Sequence, residues 1–329
     1  MNNRPRTIQI YLPKGEPRGL RLAELTTSIV RVIEVPRTLL EQFLEMPEAE
    51  QVGVYLLIND DEDQDYPAVY IGQTGGAGKR LVEHHKQKEF WNRALVVVSL
   101  TNSLTQTHAL YLEWLGIKTA NEAGRYKVEN GNAGSKPHTP APLEADCQEI
   151  FDTLRTLVAT LGQPVFEPLA KGKDATQPNG TSDTFYLRSA KYDAVAEYTA
   201  EGMVVLAGSK AKKEMAPSMT KGSFGKKRQS LVADGALLLE GDFYVFKRDV
   251  LFKSPSGASD TVTGASTNGW ALWKSKQGKT LDELKRQTTV TVCAVSRKVT
   301  PPSRPAVHTG TASGAAGDRL SRVTPCLSR

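Results

Sequence analysis

The chain has 329 residues, of which 39% are hydrophobic and 24% charged, and its formal net charge is +6. It has no run of eighteen or more apolar residues, so a transmembrane helix is not expected, and residues 1–6 lack the apolar core of a secretory signal. The three cysteines are far apart and match no zinc-binding spacing, which favours free thiols in a reduced, cytoplasmic protein: Cys147, Cys293 and Cys326.

The positive charge lies at the C-terminal end. Residues 286–329 contain seven Arg or Lys and one Asp, and the preceding residues contain 35 basic and 35 acidic side chains. The basic character is therefore a property of the tail and does not by itself indicate nucleic-acid binding. The length predicts two domains.

Residues 1–50 are predicted to be a small β-rich subdomain. Short strands are expected over residues 7–12, 20–25 and 28–35, followed by a helix over residues 37–44 that starts after a proline. Nothing in this region indicates chemistry, so its expected role is to pack on the domain that follows.

Two tyrosines are expected on neighbouring strands. The apolar run at residues 52–58 contains Gly53-Val54-Tyr55, and a second run at residues 68–71 includes Tyr70-Ile71 and is ended by Gly72. A charged loop, residues 59–67, joins them. This order predicts two paired strands of one sheet.

A glycine-rich crossing follows, and then a helix with a polar face. Arg80 and His84 are four residues apart and therefore share one side of this helix, whereas His85 does not. Phenol and imidazole groups can move protons, and a guanidinium can hold a phosphate with two hydrogen bonds. A phosphate-binding P-loop is rejected, because Gln73 stands where the first glycine belongs and Arg80 replaces the Ser or Thr.

A third strand is predicted over residues 94–100. Residues 101–105 supply N-cap chemistry for a helix over residues 105–119, which carries Glu113. Its His108 is interpreted as a surface or packing residue. Residues 129–134 are rich in Asn and Gly and include Asn130 and Asn132.

These motifs, in this order, resemble the GIY-YIG nuclease family over residues 51–135. Each motif alone is common, and it is their joint order that carries the resemblance. The resemblance implies an α+β fold in which a small central antiparallel sheet of about three strands is flanked by helices. It also implies a metal-dependent endonuclease that hydrolyses phosphodiester bonds.

The roles implied by the resemblance fall on six residues. One carboxylate holds Mg²⁺ or Mn²⁺, one phenol takes a proton from the attacking water, and one guanidinium holds the scissile phosphate. In that order these are Glu113, Tyr55 and Arg80, with His84 supporting the base, Tyr70 orienting water or phosphate, and Asn130 bracing the site. For the last role Asn132 and Asn121 are alternatives.

DNA is the expected partner, and RNA is an alternative substrate. The loop between the two motif strands carries five acidic residues (Asp60, Asp61, Glu62, Asp63 and Asp65), which would repel DNA if the loop lies beside the site. A second hypothesis is therefore a nucleic-acid-binding or assembly protein that keeps the fold without turnover.

Residues 136–183 are expected to be a linker with one amphipathic helix, 147–161. Residues 184–286 are expected to form a small α+β domain, in which residues 190–199 are interpreted as loop or helix. This domain resembles a module of unknown function that recurs at the C-terminus of GIY-YIG proteins, which implies a helper or substrate-recognition role. Residues 287–329 are predicted to be a basic, disordered tail.

Two features of the second domain have alternative interpretations. The lysine-rich residues 208–230 are either a phosphate-contacting surface or a solvated loop. Trp270 and Trp273, next to Lys274, either stack on a base or belong to the core.

Overall fold

The computed structural model describes residues 5–60, 66–131, 133–170, 184–217, 219 and 223–287. The described residues form a mixed α+β structure with two sheets, so the predicted α+β class is confirmed. None of the described helices combines the length and apolarity needed to cross a bilayer. Most of the acidic loop, Asn132, residues 171–183 and the predicted tail from residue 288 onward lie outside the described residues.

The first sheet is larger than the sequence predicted. Seven strands are observed among the described residues, where about three were expected, in the order β1-β2-β3-β6-β4-β5-β7. The strands are β1 Ile8–Tyr11, β2 Arg21–Leu25, β3 Val30–Pro36, β4 Gly53–Asn59, β5 Ala68–Thr74, β6 Arg93–Ser99 and β7 Lys127–Val128. Neighbouring strands are antiparallel except β5 and β7, which are parallel.

The N-terminal strands are part of this sheet. β3 pairs with β6 along its whole length, from Val30 opposite Ser99 to Pro36 opposite Arg93. β6 also pairs with β4 on its other side, so it is an interior strand. β1, β2 and β3 therefore extend the sheet that contains β4, β5 and β6, because β6 offers a second edge with which β3 pairs.

Helices cover both faces of the sheet. They are α1 Leu40–Leu44, α2 Ala77–Gln87, α3 Gln106–Ala123 and α4 Ala141–Thr160, with short 3-10 turns at Arg37–Leu39 and Pro47–Glu50. Successive residues of β4 face opposite sides, so Leu56 packs in the core with α3 and α4, and Tyr55 packs in the core with α1 and α2. This alternation places Tyr55 on the side of the helix that carries Arg80 and His84.

The boundaries of the helices have local causes. α3 begins after Thr105, whose side chain and that of His108 form a reciprocal capping box, and it ends at Gly124 in the left-handed region with φ of 60°. α4 begins six residues before the predicted start. Pro142 lies in its first turn, where backbone N–H groups have no acceptor within the helix, so the N–H that proline lacks is not needed.

The second sheet belongs to the C-terminal part of the chain. Its strands are β8 Thr184–Ser189, β9 Tyr192–Thr199, β10 Gly202–Val205, β11 Lys210–Lys212, β12 Leu237–Glu240, β13 Phe243–Phe246 and β14 Val250–Phe252. It is accompanied by α5 Ser223–Ala233, α6 Pro255–Thr263, α7 Gly269–Leu272 and a π-helical turn at Glu283–Gln287. Residues 192–199, interpreted from the sequence as loop or helix, are strand β9, because it is paired with β8, β10 and β11.

An ion pair joins the two parts of the structure. Both terminal nitrogens of Arg125 bond the carboxylate of Glu201, at 2.6 and 3.0 Å, and its Nε donates to the carbonyl of Glu167 at 2.9 Å. The Arg125 side chain is 8% exposed. It therefore fixes the loop after α3 against the turn between β9 and β10.

Candidate active site

The hydroxyl of Tyr55 is the centre of a buried polar cluster. Its oxygen lies 2.7 Å from Nε2 of His84 and accepts a hydrogen bond from Nε of Arg80 at 3.2 Å. Tyr55 and His84 are 1% and 2% exposed, whereas 39% of the Arg80 side chain is exposed. The structure thus brings together the three side chains that strand pairing and the helix spacing place on one side of the sheet.

Gly72 makes room for the Tyr55 ring. The two residues are direct partners in the pairing of β4 with β5. A β-carbon at position 72 would overlap the hydroxyl oxygen of Tyr55 and the ring carbon that bears it. The glycine is therefore required by the position of the phenol rather than by the backbone conformation.

The ring of Tyr70 packs beside the rings of Tyr55 and His84. Its ring centroid lies 6.3 Å from that of Tyr55 and 5.5 Å from that of His84. The ammonium group of Lys88 lies 4.4 Å from the Tyr70 ring centroid, a cation–π contact. Lys88 was not predicted, although it continues the spacing of four residues that links Arg80 and His84, and that spacing is the signal that could have identified it.

The protonation states of Tyr55 and His84 follow from their burial. Burial raises the pKa of Tyr55 to about 12, although the hydrogen bond from Arg80 opposes this. Burial, followed by the charges of Arg80 and Lys88, lowers the pKa of His84 to about 4. At neutral pH the phenol therefore keeps its proton and the imidazole is neutral.

When Tyr55 and His84 are both neutral, only one placement of the phenol proton gives the Tyr55 hydroxyl a partner both as acceptor and as donor. Arg80 donates to the Tyr55 oxygen, so the phenol proton finds an acceptor in Nε2 of His84. Nδ1 of His84 is buried without a hydrogen-bond partner in either tautomer. A proton can thus pass directly from the Tyr55 hydroxyl to Nε2 of His84.

Arg80 lies at the mouth of the cluster. It donates to Glu83 at 2.7 Å, and its pKa is raised by its contacts with Tyr55 and Glu83, so it stays charged. It lines a wide cavity of about 470 Å³ together with Gln73, Lys79 and Gln106. The amide of Gln106 donates to that of Gln73, a contact that sequence patterns do not reveal.

Glu113 lies on α3, the helix on the other face of the sheet from α2. α3 packs on β5, and the half-buried carboxylate is hydrogen-bonded by the backbone of Gln73. Burial raises the pKa of Glu113, while Gln73 and the charge of Arg80 oppose the rise. A negative charge on Glu113 in turn acts on Tyr55, which places the carboxylate within electrostatic reach of the cluster.

The donor set near Glu113 suits one kind of metal ion. Within the described ranges, no group of three or more His, Cys, Asp or Glu side chains is arranged to hold a metal. A single carboxylate fits a hard divalent cation that keeps most of its water shell, such as Mg²⁺ or Mn²⁺, and does not fit a structural zinc.

Asn130 braces β5 through its side chain. Its Oδ1 accepts from the N–H of Ile71 at 2.8 Å and its Nδ2 donates to the carbonyl of Ile71 at 2.6 Å. The amide thus continues the parallel pairing of β7 with β5 and fixes the backbone next to Gly72. Asn121 instead donates to Ile117 within its own helix, and Asn132 lies outside the described residues.

The basic segment at residues 208–230 is partly structural. Arg228 is 3% exposed, donates to the carbonyls of Lys212 and Thr261, and lies 4.9 Å from the Tyr244 ring centroid. Arg228 therefore belongs to the core of the domain and is not part of an exposed basic surface, because its guanidinium is buried and hydrogen-bonded inside the domain. Lys221 lies outside the described residues.

The two tryptophans differ in environment. Trp273 is fully buried and its indole N–H donates to the carbonyl of Pro255 at 3.0 Å, so it belongs to the core. Trp270 is partly buried, and the guanidinium of Arg286 lies 3.6 Å from its ring centroid. Base stacking by Trp273 is therefore excluded in this fold.

Comparison with known proteins identifies one region of the chain. Residues 185–285 match a family model described as a domain of unknown function, DUF4357. No GIY-YIG family match is found for residues 51–135. Neither the curated proteins nor the solved structures give a significant match.

Proposed function

We propose that the chain is a metal-dependent endonuclease of the GIY-YIG type that hydrolyses phosphodiester bonds in DNA with Mg²⁺ or Mn²⁺. The observation that carries this proposal is the Tyr55 hydroxyl, which contacts both His84 and Arg80, and Arg80 in turn lines an open cavity. A phenol held between a fixed cation and a neutral imidazole is suited to proton transfer beside a bound phosphate.

Arg80 is the proposed phosphate clamp. Its Nε is held by Tyr55, and its Nη1 is paired with Glu83 in a contact where both side chains are more than one third exposed. An exposed ion pair of this kind is worth about 0–1 kcal/mol, so a phosphate can displace Glu83. The guanidinium would then stabilise charge that develops on the phosphate.

Tyr55 and His84 are the proposed proton path. Because the pKa of the phenol is about 12, the phenol accepts a proton from water only as its own proton passes to Nε2 of His84. A bound phosphate offsets the positive charges of Arg80 and Lys88, which are two of the causes that hold the pKa of His84 low. Substrate binding therefore makes His84 a better acceptor.

The remaining groups position these parts. Glu113 would hold the metal ion, which supplies Lewis-acid stabilisation of the leaving oxygen when bound. Tyr70 borders the imidazole and would orient water or phosphate. Asn130 fixes the strand that carries Tyr70 and Gly72.

A plasmid-nicking assay with Mg²⁺ and then Mn²⁺ tests the proposal. Nicking is expected from the unmodified chain and is expected to be lost in Glu113→Ala and Arg80→Ala. Glu122→Ala is the matched control, because Glu122 lies on the same helix and pairs only weakly with Lys118 at 3.9 Å. Nicking that persists unchanged in both site variants would overturn the assignment.

The alternative is a nucleic-acid-binding or assembly protein without turnover. The protonated state of Tyr55 and the contact of Arg80 with Glu83 favour it, since both must change before catalysis. DNA or RNA binding in the absence of any cleavage, under the same metal conditions, would select this alternative.

A further inference from the structure

An open cavity of about 400 Å³ lies on the DUF4357 domain and is lined by none of residues 51–135. We name it the basic–tyrosine pocket for five of its lining side chains: Tyr186, Arg188, Tyr192, Lys274 and Lys276. Its described lining includes three cations and no carboxylate. A cavity with this composition repels cationic groups and attracts a phosphate.

The fold holds the segment with Lys274 beside β8. Tyr186 and Lys274 exchange two backbone hydrogen bonds, at 2.7 and 3.1 Å, in the manner of paired strands. The buried indole of Trp273 anchors this segment through Pro255, and a turn that ends at Gly278, with φ of 84°, returns the chain. Lys274 and Lys276 are thereby held at the rim of the cavity.

The tyrosines supply stacking surfaces. The guanidinium of Arg188 lies 4.7 Å from the Tyr186 ring centroid, and Tyr192 follows directly across the hairpin, opposite Ser189. Both tyrosines are partly buried and line the cavity, and Tyr192 also packs against the core of the domain. Aromatic faces with adjacent cations are the usual platform for unpaired bases.

The carboxylate of Asp193 lies close to these cations. It accepts a hydrogen bond from Arg188 at 3.2 Å, and both side chains are more than half exposed. Such a pair is weak and yields to a phosphate. By contrast, in the cavity between the two parts of the structure, Arg125 and Arg248 are each paired with a carboxylate, from Glu201 and Asp234.

We propose that the basic–tyrosine pocket binds a nucleobase and its adjoining phosphate in single-stranded nucleic acid. A duplex keeps its bases stacked on one another, so its bases cannot use the tyrosine faces. The pocket gives the DUF4357 domain a binding role that does not depend on cleavage at Tyr55.

The test is binding of the full chain to a fluorescent single-stranded oligothymidylate, measured by anisotropy in EDTA so that cleavage does not contribute. Tyr192→Ala and Lys276→Glu are each expected to weaken binding on the order of tenfold, because a base stack and a phosphate contact are lost. Tyr192→Phe keeps the ring and is expected to bind within about twofold of the unmodified chain. Lys274→Ala changes an exposed side chain and is expected to reduce the slope of log K against log salt by about one.

Lys247→Glu is the matched control, because Lys247 is exposed in the same domain and lies outside both the pocket and the lysine-rich residues 208–230. Equal weakening by Lys247→Glu and Lys276→Glu, with none from Tyr192→Ala, would overturn the proposal in favour of general charge attraction. Competition by thymidine monophosphate, inorganic phosphate and a duplex of the same length distinguishes the sources. Unlabelled single-stranded oligothymidylate is expected to compete strongly, and each of these three competitors weakly. Competition by any of the three that is as strong as competition by the unlabelled single strand would overturn the proposal. Nicking activity can be present or absent in either case, so the two proposals are separated.

Discussion

The hydroxyl of Tyr55 occupies the space that a side chain at position 72 would need. The two residues face each other across β4 and β5, and the phenol passes over the bare α-carbon of Gly72 to reach Arg80 and His84. The glycine and the tyrosine are therefore one structural unit, although they belong to different motifs of the sequence.

Gly72→Ala is expected to displace the phenol. The added methyl group overlaps the Tyr55 hydroxyl, so the contacts with Arg80 and His84 cannot both persist. We expect a loss of nicking on the order of a hundredfold, because a shift of about 1 Å at a reacting group has that effect. The free energy of unfolding should fall by about 1–3 kcal/mol. Gly131→Ala, with no atom within 4 Å of its new methyl group, is the stability control in urea unfolding. Wild-type nicking by Gly72→Ala would show that the phenol is not needed where it lies.

The low pKa of His84 predicts loss of stability in acid. In the unfolded chain the imidazole binds a proton near pH 6.5, but in the folded protein it does so only near pH 4. Between these values the unfolded state binds more protons, so the free energy of unfolding falls as the pH falls. This contribution is fully present above pH 6.5, and about 3 kcal/mol of it is lost by pH 4. Urea unfolding at pH 7, 5.5 and 4.5 should show a steeper decline for the unmodified chain than for His84→Gln. Parallel declines would mean that His84 titrates normally.

Glu113→Gln is expected to separate stability from metal binding. Burial disfavours the charged carboxylate, so the neutral amide should leave the melting temperature equal or higher. Mn²⁺ should raise the melting temperature of the unmodified chain by binding the folded state, and this rise should disappear in the variant. Glu122→Gln on the same helix should keep the rise. A metal-induced rise of the same size in Glu113→Gln would place the metal elsewhere.

Asn130→Ala is expected to destabilise the backbone of β5 without changing any side chain of the Tyr55 cluster. It removes two hydrogen bonds to the backbone of Ile71 and leaves buried polar groups unpaired, at a cost of about 1–3 kcal/mol. Asn121→Ala removes a single hydrogen bond within α3 and should cost less. Hydrogen exchange at the Ile71 amide provides the direct measurement. Unchanged protection of that amide in Asn130→Ala would contradict the bracing role.

The sequence predicted the cluster because its geometry is local. Neighbouring strands bring Tyr55 close to Tyr70, and a spacing of four residues puts Arg80 and His84 on one side of α2. Both rules need only short stretches of chain, and the structure brings these side chains together. Their catalytic roles stay predictions.

The sequence could not predict features that depend on distant pairing. The place of β3 beside β6 joins residues about sixty positions apart, and the alternation of apolar residues in β3 would be the same in a separate subdomain. The difference between Asn130, which bonds β5, and Asn121, which bonds its own helix, depends on the path of the chain after α3, which only the structure provides. Trp273 and Trp270 have similar neighbours in sequence, and the burial of Trp273 depends on its contact with Pro255 in α6.

The pairing of β3 with β6 also limits how the chain can be divided. A protein that begins at residue 51 would keep every recognisable motif but would leave one edge of β6 bare over seven residues, including Val96, Val97 and Val98. A valine-rich edge is a template for pairing with other chains. Light scattering should therefore show that the motif-bearing segment aggregates when isolated, and that it becomes monodisperse only when residues 5–50 are restored.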